Sequence, residues 1–140
     1  MVESWWIYPE KFTKGMHSAP SLCIGKLAES LRKEFGLEIL MHIVEYSKDA
    51  DASSNLSIIV LGIQAGDSYR IRISGKYSEK ILRKILDIFG KFTINKKLHD
   101  NPLSWAEYPK RTIKEYLSRI KEIIEPDNRS IKKGAKSCQT

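Results

Sequence analysis

Apolar and polar positions divide the first ninety residues into seven segments of changing period. Trp5-Trp6-Ile7-Tyr8 is aromatic and β-prone. Pro9 follows at once, which places this first strand at a sheet edge or ends it. Cys23, Ile24, Leu27, Ala28, Leu31 and Phe35 recur at helical spacing. They predict a helix from about Ser18 to Phe35, stopped at Gly36. Gly25 lies inside it, at a cost of about 1 kcal/mol against alanine. Leu37 to Tyr46 reads as a second strand, with His42 as an ordinary strand residue. Its two alternating sets are both mostly apolar, so both faces are candidates for cover. After a turn at Ser47-Lys48-Asp49, Ala50-Asp51-Ala52 predicts a short third strand. Ser53-Ser54-Asn55 offers caps for a short helix carrying Leu56, Ile59, Val60 and Ile63 and ended by Gly62. Beyond the turn Gln64–Asp67, Tyr69, Ile71 and Ile73 alternate with Arg70, Arg72 and Ser74, the cleanest period of two in the chain. Ser78 then caps a helix with Ile81, Leu82, Ile85, Leu86, Ile88 and Phe89 on one face and Gly90 near its end.

Strand, helix, strand, strand, short helix, strand, helix is the order of an α+β sandwich with helices covering one face of an antiparallel sheet. Residues 93–140 stand apart from this 1–92 unit as an extension. Asn101-Pro102 marks a loop there, with His99 isolated beside it. Pro109 opens a helix over about 109–125, apolar at Ile113, Tyr116, Leu117, Ile120, Ile123 and Ile124, and Pro126 is a stop signal. The remainder is polar and basic, which predicts a disordered tail. An apolar helix face needs cover, and the open face of the sheet is one place for it.

The chain has 140 residues and a formal net charge of +7, with 41% hydrophobic and 29% charged residues. Residues 93–140 hold eleven Lys/Arg against six Asp/Glu, so most of the excess charge belongs to the extension. No apolar run is long enough to span a bilayer, and Met1–Trp6 lacks the basic-then-apolar signature of a secretory signal. The expectation is a cytoplasmic protein. Cys23 and Cys138 fit neither a disulfide framework nor a zinc motif, and no cofactor or metal site is indicated.

The chemistry gathers at Gly15-Met16-His17-Ser18-Ala19-Pro20. Proline is tolerated in a first helical turn, so His17 reads as standing at a helix N-terminus. The free N–H groups and the dipole there favour an anion. A neutral imidazole beside such a site suits a residue that takes and passes on a phosphoryl group. A plain helix cap is the structural alternative. Trp5 and Trp6 read as packing residues.

Two motifs together give a resemblance. His17 precedes the first helix within Gly-Met-His-Ser-Ala-Pro. Ser54 precedes the short helix that ends in Leu61-Gly62-Ile63, with Gly66-Asp67 before the last strand. Over roughly residues 4–92 the chain resembles the HPr family, the histidine-containing phosphocarriers of the bacterial sugar phosphotransferase system. The resemblance implies an open-faced sandwich, a four-stranded antiparallel sheet with helices on one face. It implies a phosphoryl carrier rather than a free-standing enzyme. Enzyme I would charge His17, with Ser18 and Ala19 at the phosphoryl-binding turn, and an enzyme IIA would receive the group. It also implies Ser54 as the target of an HPr kinase/phosphorylase, and Met16, Leu56 and Ile59 as docking residues.

Three departures accompany the resemblance. Ala19 stands where the family has an arginine, with Lys14 as a candidate substitute. The stretch from His17 to Ser54 is a few residues longer than usual. Residues 93–140 have no place in an ordinary HPr. Two alternative functions therefore stand beside the carrier: a regulatory protein acting through Ser54 with His17 idle, and nucleic-acid or acidic-partner binding through the basic tail. No nucleic-acid signature accompanies that tail.

Overall fold

A computed structural model of the chain describes residues 1–12, 16, 18–43, 48–99 and 109–139, with backbone alone at 18, 19, 48, 55, 56, 60, 99 and 126–139. The strands are β1 (Val2–Ile7), β2 (Glu38–Ile43), β3 (Lys48–Asp51) and β4 (Ser68–Ser74). The helices are α1 (Ser18–Phe35), α2 (Asn55–Leu61), α3 (Glu79–Thr93), α4 (Lys96–His99) and α5 (Lys110–Gln139). The sheet order is β1-β4-β2-β3, antiparallel throughout. The strand followed by Pro9 is indeed an edge. Lys48 pairs with Ile43, so the third strand begins two residues before the expected Ala50 and ends at Asp51.

Period two sorts the sheet's faces. Ile39, Met41, Ile43, Tyr69, Ile71 and Ile73 are all buried on the helix-facing side. Glu3, Trp5 and Ile7, Arg70 and Arg72, Leu40 and His42, and Asp49 and Asp51 fall on the other. Trp5 and Ile7 are 54% and 65% exposed, so that face is open. Both sets of β2 looked apolar in sequence; Leu40, 37% exposed, shows that only one is covered. Trp5, Arg70, His42 and Asp49 share one cross-strand row. Arg70 sits over the Trp5 ring at 5.6 Å, and His42 Nδ1 lies 2.5 Å from Asp49 Oδ1. Glu3 bridges Arg70 at 3.4 Å and Arg72 at 3.2 Å.

Two glycines carry geometric demands. Gly62 ends α2 at φ 70°, and its N–H donates to the Ile59 carbonyl at 3.1 Å. That left-handed cap is cheap for glycine alone. Gly90 lies near the end of α3, as expected, three residues before Thr93. A Cβ at Gly90 would come within 2.0 Å of the Trp6 ring, so the glycine is the seat on which β1 rests against α3.

The extension corrects two expectations. First, α5 packs on α3 and α1, outside the helical layer, and leaves the open face of the sheet bare. The reason is the apolar outer surface of those helices. Phe92 meets Tyr116 with ring centroids 4.9 Å apart, Ile120 and Ile124 are fully buried, and Lys121 pairs with Glu34 at 3.3 Å. Second, α5 runs through Pro126 to Gln139, where a stop and a disordered tail were expected. A helix can carry a proline at the cost of one hydrogen bond, here to the carbonyl of Glu122, and a bend. His99, expected in a loop, closes the one-turn helix α4. The Asn101-Pro102 loop lies outside the described residues.

The candidate phosphoryl site

β4 fixes which end of the molecule is which. Its first residues follow the turn Gln64–Asp67, where Tyr8 N–H donates to the Asp67 carbonyl at 2.9 Å and Gly66 N–H to the Tyr8 carbonyl at 2.7 Å. Met16 N–H donates to the Ile63 carbonyl at 2.8 Å. The chain entering α1 is thus tied to the segment leaving α2 (Asn55–Leu61). α1 begins at Ser18 and has no charged residue in its first four positions, Ser18-Ala19-Pro20-Ser21. Ser21 is fully buried, and its hydroxyl has no hydrogen-bond partner among the described residues. His17, Gly15 and Lys14 lie outside the described residues; His17 immediately precedes the first residue of α1 in sequence.

Ser54 is the N-cap of α2, extended at φ −107° and ψ 105°, its Oγ accepting from Ser57 N–H at 3.3 Å. That satisfies one orphan donor of the helix start. Met16 adjoins the other end of α2, so the helix's own length, about 10 Å, separates them. Ser53 instead faces the middle of α1, where it shares a cleft of about 160 Å³ with Leu22, Gly25, Lys26 and Glu29. Of the expected docking residues, Met16 is 3% exposed and belongs to the core, as does Ile63, to which its N–H is bonded. Ile59 is half-buried, and Leu56 is described by backbone alone.

Electrostatics around α1 are ordinary for a helix. The Arg32 side chain holds the Glu29 carboxyl below its usual range through a 2.8 Å bond, with Lys33 adding to it. Burial pushes the Cys23 thiol up to about 11, which leaves it inert at neutral pH. Tyr8 and Tyr69 are likewise raised, by burial first. Sequence reading missed the open-face row of Trp5, Arg70, His42 and Asp49; the period-two alternation of β4 was its signal. Among the described residues no helix is long and apolar enough to cross a membrane.

A four-stranded antiparallel sheet with helices on one face, and a histidine directly ahead of the first helix, is the arrangement of a histidine phosphocarrier. The family model described as the PTS HPr component phosphorylation site matches residues 11–91. The chain belongs to the HPr family, the phosphocarriers of the sugar phosphotransferase system. Three solved structures share the fold. A histidine-containing phosphocarrier protein from Mycoplasma is 17% identical, with a TM-score of 0.51 over 68% of this chain and 99% of that one. HPr-C-His from Thermoanaerobacter tengcongensis is 19% identical, with a TM-score of 0.51 over 69% and 99%. HPr from Bacillus anthracis str. Ames is 18% identical, with a TM-score of 0.52 over 65% and 94%. At these identities the likeness is one of fold. No curated protein matches the chain.

Proposed function

We propose that the chain carries a phosphoryl group on His17, taken from enzyme I and given to an enzyme IIA in the cytoplasm. The supporting observation is the position of His17, directly before α1 and directly after Met16, whose N–H is tied to Ile63 within the family-matched span. A ring nitrogen of the neutral imidazole attacks phosphorus. The bond from phosphorus to the donor atom on enzyme I breaks, and its electron pair stays with the donor. Backbone N–H groups of the first turn of α1 receive the phosphoryl oxygens, helped by the helix dipole. Pro20 withholds one of these donors. Residues 1–92 form the carrier unit, and residues 93–140 add to it from outside.

Ala19 lowers the rate. One charge-assisted hydrogen bond is worth about 1.5–3 kcal/mol, or roughly ten- to a hundredfold. The test is incubation with phosphoenolpyruvate and enzyme I, followed by detection of acid-labile phosphate. It is expected in the native chain, absent in His17→Ala and faster in Ala19→Arg. No phosphate in either the native chain or Ala19→Arg refutes the carrier.

Ser54 is the proposed target of a kinase. Its hydroxyl caps α2, and a phosphate there keeps the favourable dipole while placing about −1.5 to −2 charges at the start of the helix that carries half-buried Ile59. Docking of enzyme I or IIA at Ile59 and Leu56 is then weakened. Phosphoserine detection after incubation with an HPr kinase/phosphorylase, absent in Ser54→Ala, checks this.

A further inference from the structure

Neither the helical layer nor α5 covers the open face of the sheet. Met1, Trp5, Ile7 and Leu40, the exposed large apolar residues among those described, all stand on it. Its carboxylates outnumber its guanidiniums, with Glu3, Glu38, Asp49 and Asp51 against Arg70 and Arg72. Glu3 engages both arginines. One cross-strand row runs Glu3, Arg72, Leu40, Asp51, which sets carboxylates on both edge strands, about 14 Å apart at the usual strand spacing. Beside that row opens a cleft of about 320 Å³ between Met1, Leu37, Leu40, Glu38 and Asp51. The guanidiniums in its wall are taken, Arg32 by Glu29 at 2.8 Å and Arg72 by Glu3 at 3.2 Å. The face thus offers apolar surface framed by negative charge. Long basic side chains suit it, because their stems cover apolar area and ring faces while their heads reach carboxylates.

The chain itself carries a segment of that chemistry. Arg129, Lys132, Lys133 and Lys136 recur at i, i+3, i+4 and i+7 within α5, which is one stripe of a helix. The stripe spans about 10 Å along the axis, and its long side chains bring it to the width of the acidic row. Asp127 is the one carboxylate in the sequence from Pro126 to Thr140. Among the described side chains the buried apolar positions of α5 end at Ile124. Lys121 already meets Glu34, the last residue but one of α1, at 3.3 Å. Residues 122–139 continue the helix for about 27 Å past that point. A helix that leaves on the outer side of the helical layer does not turn back to the far side of its own sheet. The sheet of a second copy is within its reach.

We propose that the open face of the sheet is the docking surface for the basic stripe of α5 from a second copy of this chain. The contact is between unlike surfaces, so a one-way version would add copies without end. Two chains that exchange it about a two-fold axis, each face taking the other's helix, close the pair. The extension then has two parts with separate tasks: residues 110–124 pack on their own domain, and the basic turns after Pro126 join two domains.

The experiment follows the full-length chain by sedimentation equilibrium and, over the same concentrations, the Trp5 indole N–H by NMR. A dimer that grows with concentration is expected, with a Trp5 signal that shifts as it forms. Raising ionic strength from about 0.01 M to about 1 M is expected to weaken it about tenfold or more, since the attraction is between exposed charges. Lys132→Glu/Lys133→Glu/Lys136→Glu is expected to weaken it by a further factor of about ten or more. Lys80→Glu/Lys84→Glu/Lys97→Glu, the same change of net charge placed elsewhere, leaves the Kd within about threefold. Glu38→Lys/Asp49→Lys alone also weakens the dimer, and the chain that carries this pair together with the reversed stripe recovers it, because opposite charges face each other again. A monomer at every concentration overturns the proposal. So does a dimer that is indifferent to the stripe, a Trp5 signal that does not move with dimerisation, or a doubly reversed chain that fails to recover. A monomer that binds RNA or another protein through the basic stripe overturns it as well.

Discussion

Replacing Gly90 by alanine sets two effects against each other. In a helix interior the substitution gains about 1 kcal/mol of propensity. Here the new Cβ would stand 2.0 Å from Trp6 Cε2 and Cζ2 and 2.6 Å from Nε1, where carbon contacts settle at about 3.5–4.0 Å. The indole cannot swing away cheaply. Its Nε1 donates to Ser4 Oγ at 2.7 Å, and its backbone pairs with Tyr69 in the sheet. Relief therefore means pushing β1 from α3 or forcing Trp6 off its rotamer, an overpacking cost of about 1–3 kcal/mol and occasionally more. With the lost bond to Ser4 added at about 1 kcal/mol, Gly90→Ala is expected to destabilise by about 1–3 kcal/mol. In the Trp6→Ala background the obstacle is gone, and the same substitution is expected to stabilise by about 1 kcal/mol. Urea unfolding of the four proteins of this cycle measures the coupling. A Gly90→Ala protein more stable than wild type, or an equal effect in both backgrounds, would refute the reasoning.

Other substitutions probe the core and the extension. Thr93→Val takes a partner from the buried Tyr69 hydroxyl and is expected to cost about 1–3 kcal/mol, read as a lower thermal midpoint. Ile120→Ala, at a fully buried position of α5, is expected to cost about 2–5 kcal/mol if the extension is part of the cooperative fold; an unchanged midpoint would mean that α5 is an appendage. Cys23, buried and raised to about 11, should escape iodoacetamide at pH 8 in the native chain and react in urea, as peptide mass spectrometry would show. Tyr8 and Tyr69 are both raised by burial, so the unfolded chain releases their protons first. Stability is expected to be full below about pH 10 and to fall above it.

The core of the sheet was readable because burial on one face imposes a period of two, and β4 alternates without a break. α1 was readable at both ends, since its apolar stripe is bounded by a proline in the first turn and a glycine stop at Gly36. What the chain could not disclose in one dimension was which partner each apolar face chooses. α5 has a plain apolar stripe, yet nothing local distinguishes an outer helix surface from an open sheet. Only the buried Phe92, Ile120 and Ile124 settle it. The reason for a glycine at position 90 was not legible, because its cause, the indole of Trp6, comes from a strand far away in sequence. The resemblance offers Met16 as a docking residue, and only the fold shows how deeply it is buried. The motif was legible as a position ahead of α1, but the distance between Met16 and Ser54 was not, because it is set by α2, at whose two ends they stand.

The strand order has a consequence for synthesis. β1 is made before the other three strands, yet among the described residues it pairs along the sheet with β4 alone, so Val2 must wait for Ile73. Its packing surface on α3 is made later still. Until then the nascent chain carries Trp5, Trp6 and Ile7 on an unpaired strand, at a ribosome delivering about 5–20 residues per second. β1 therefore joins the sheet late, and a chain cut short before α3 leaves that strand open to mispairing.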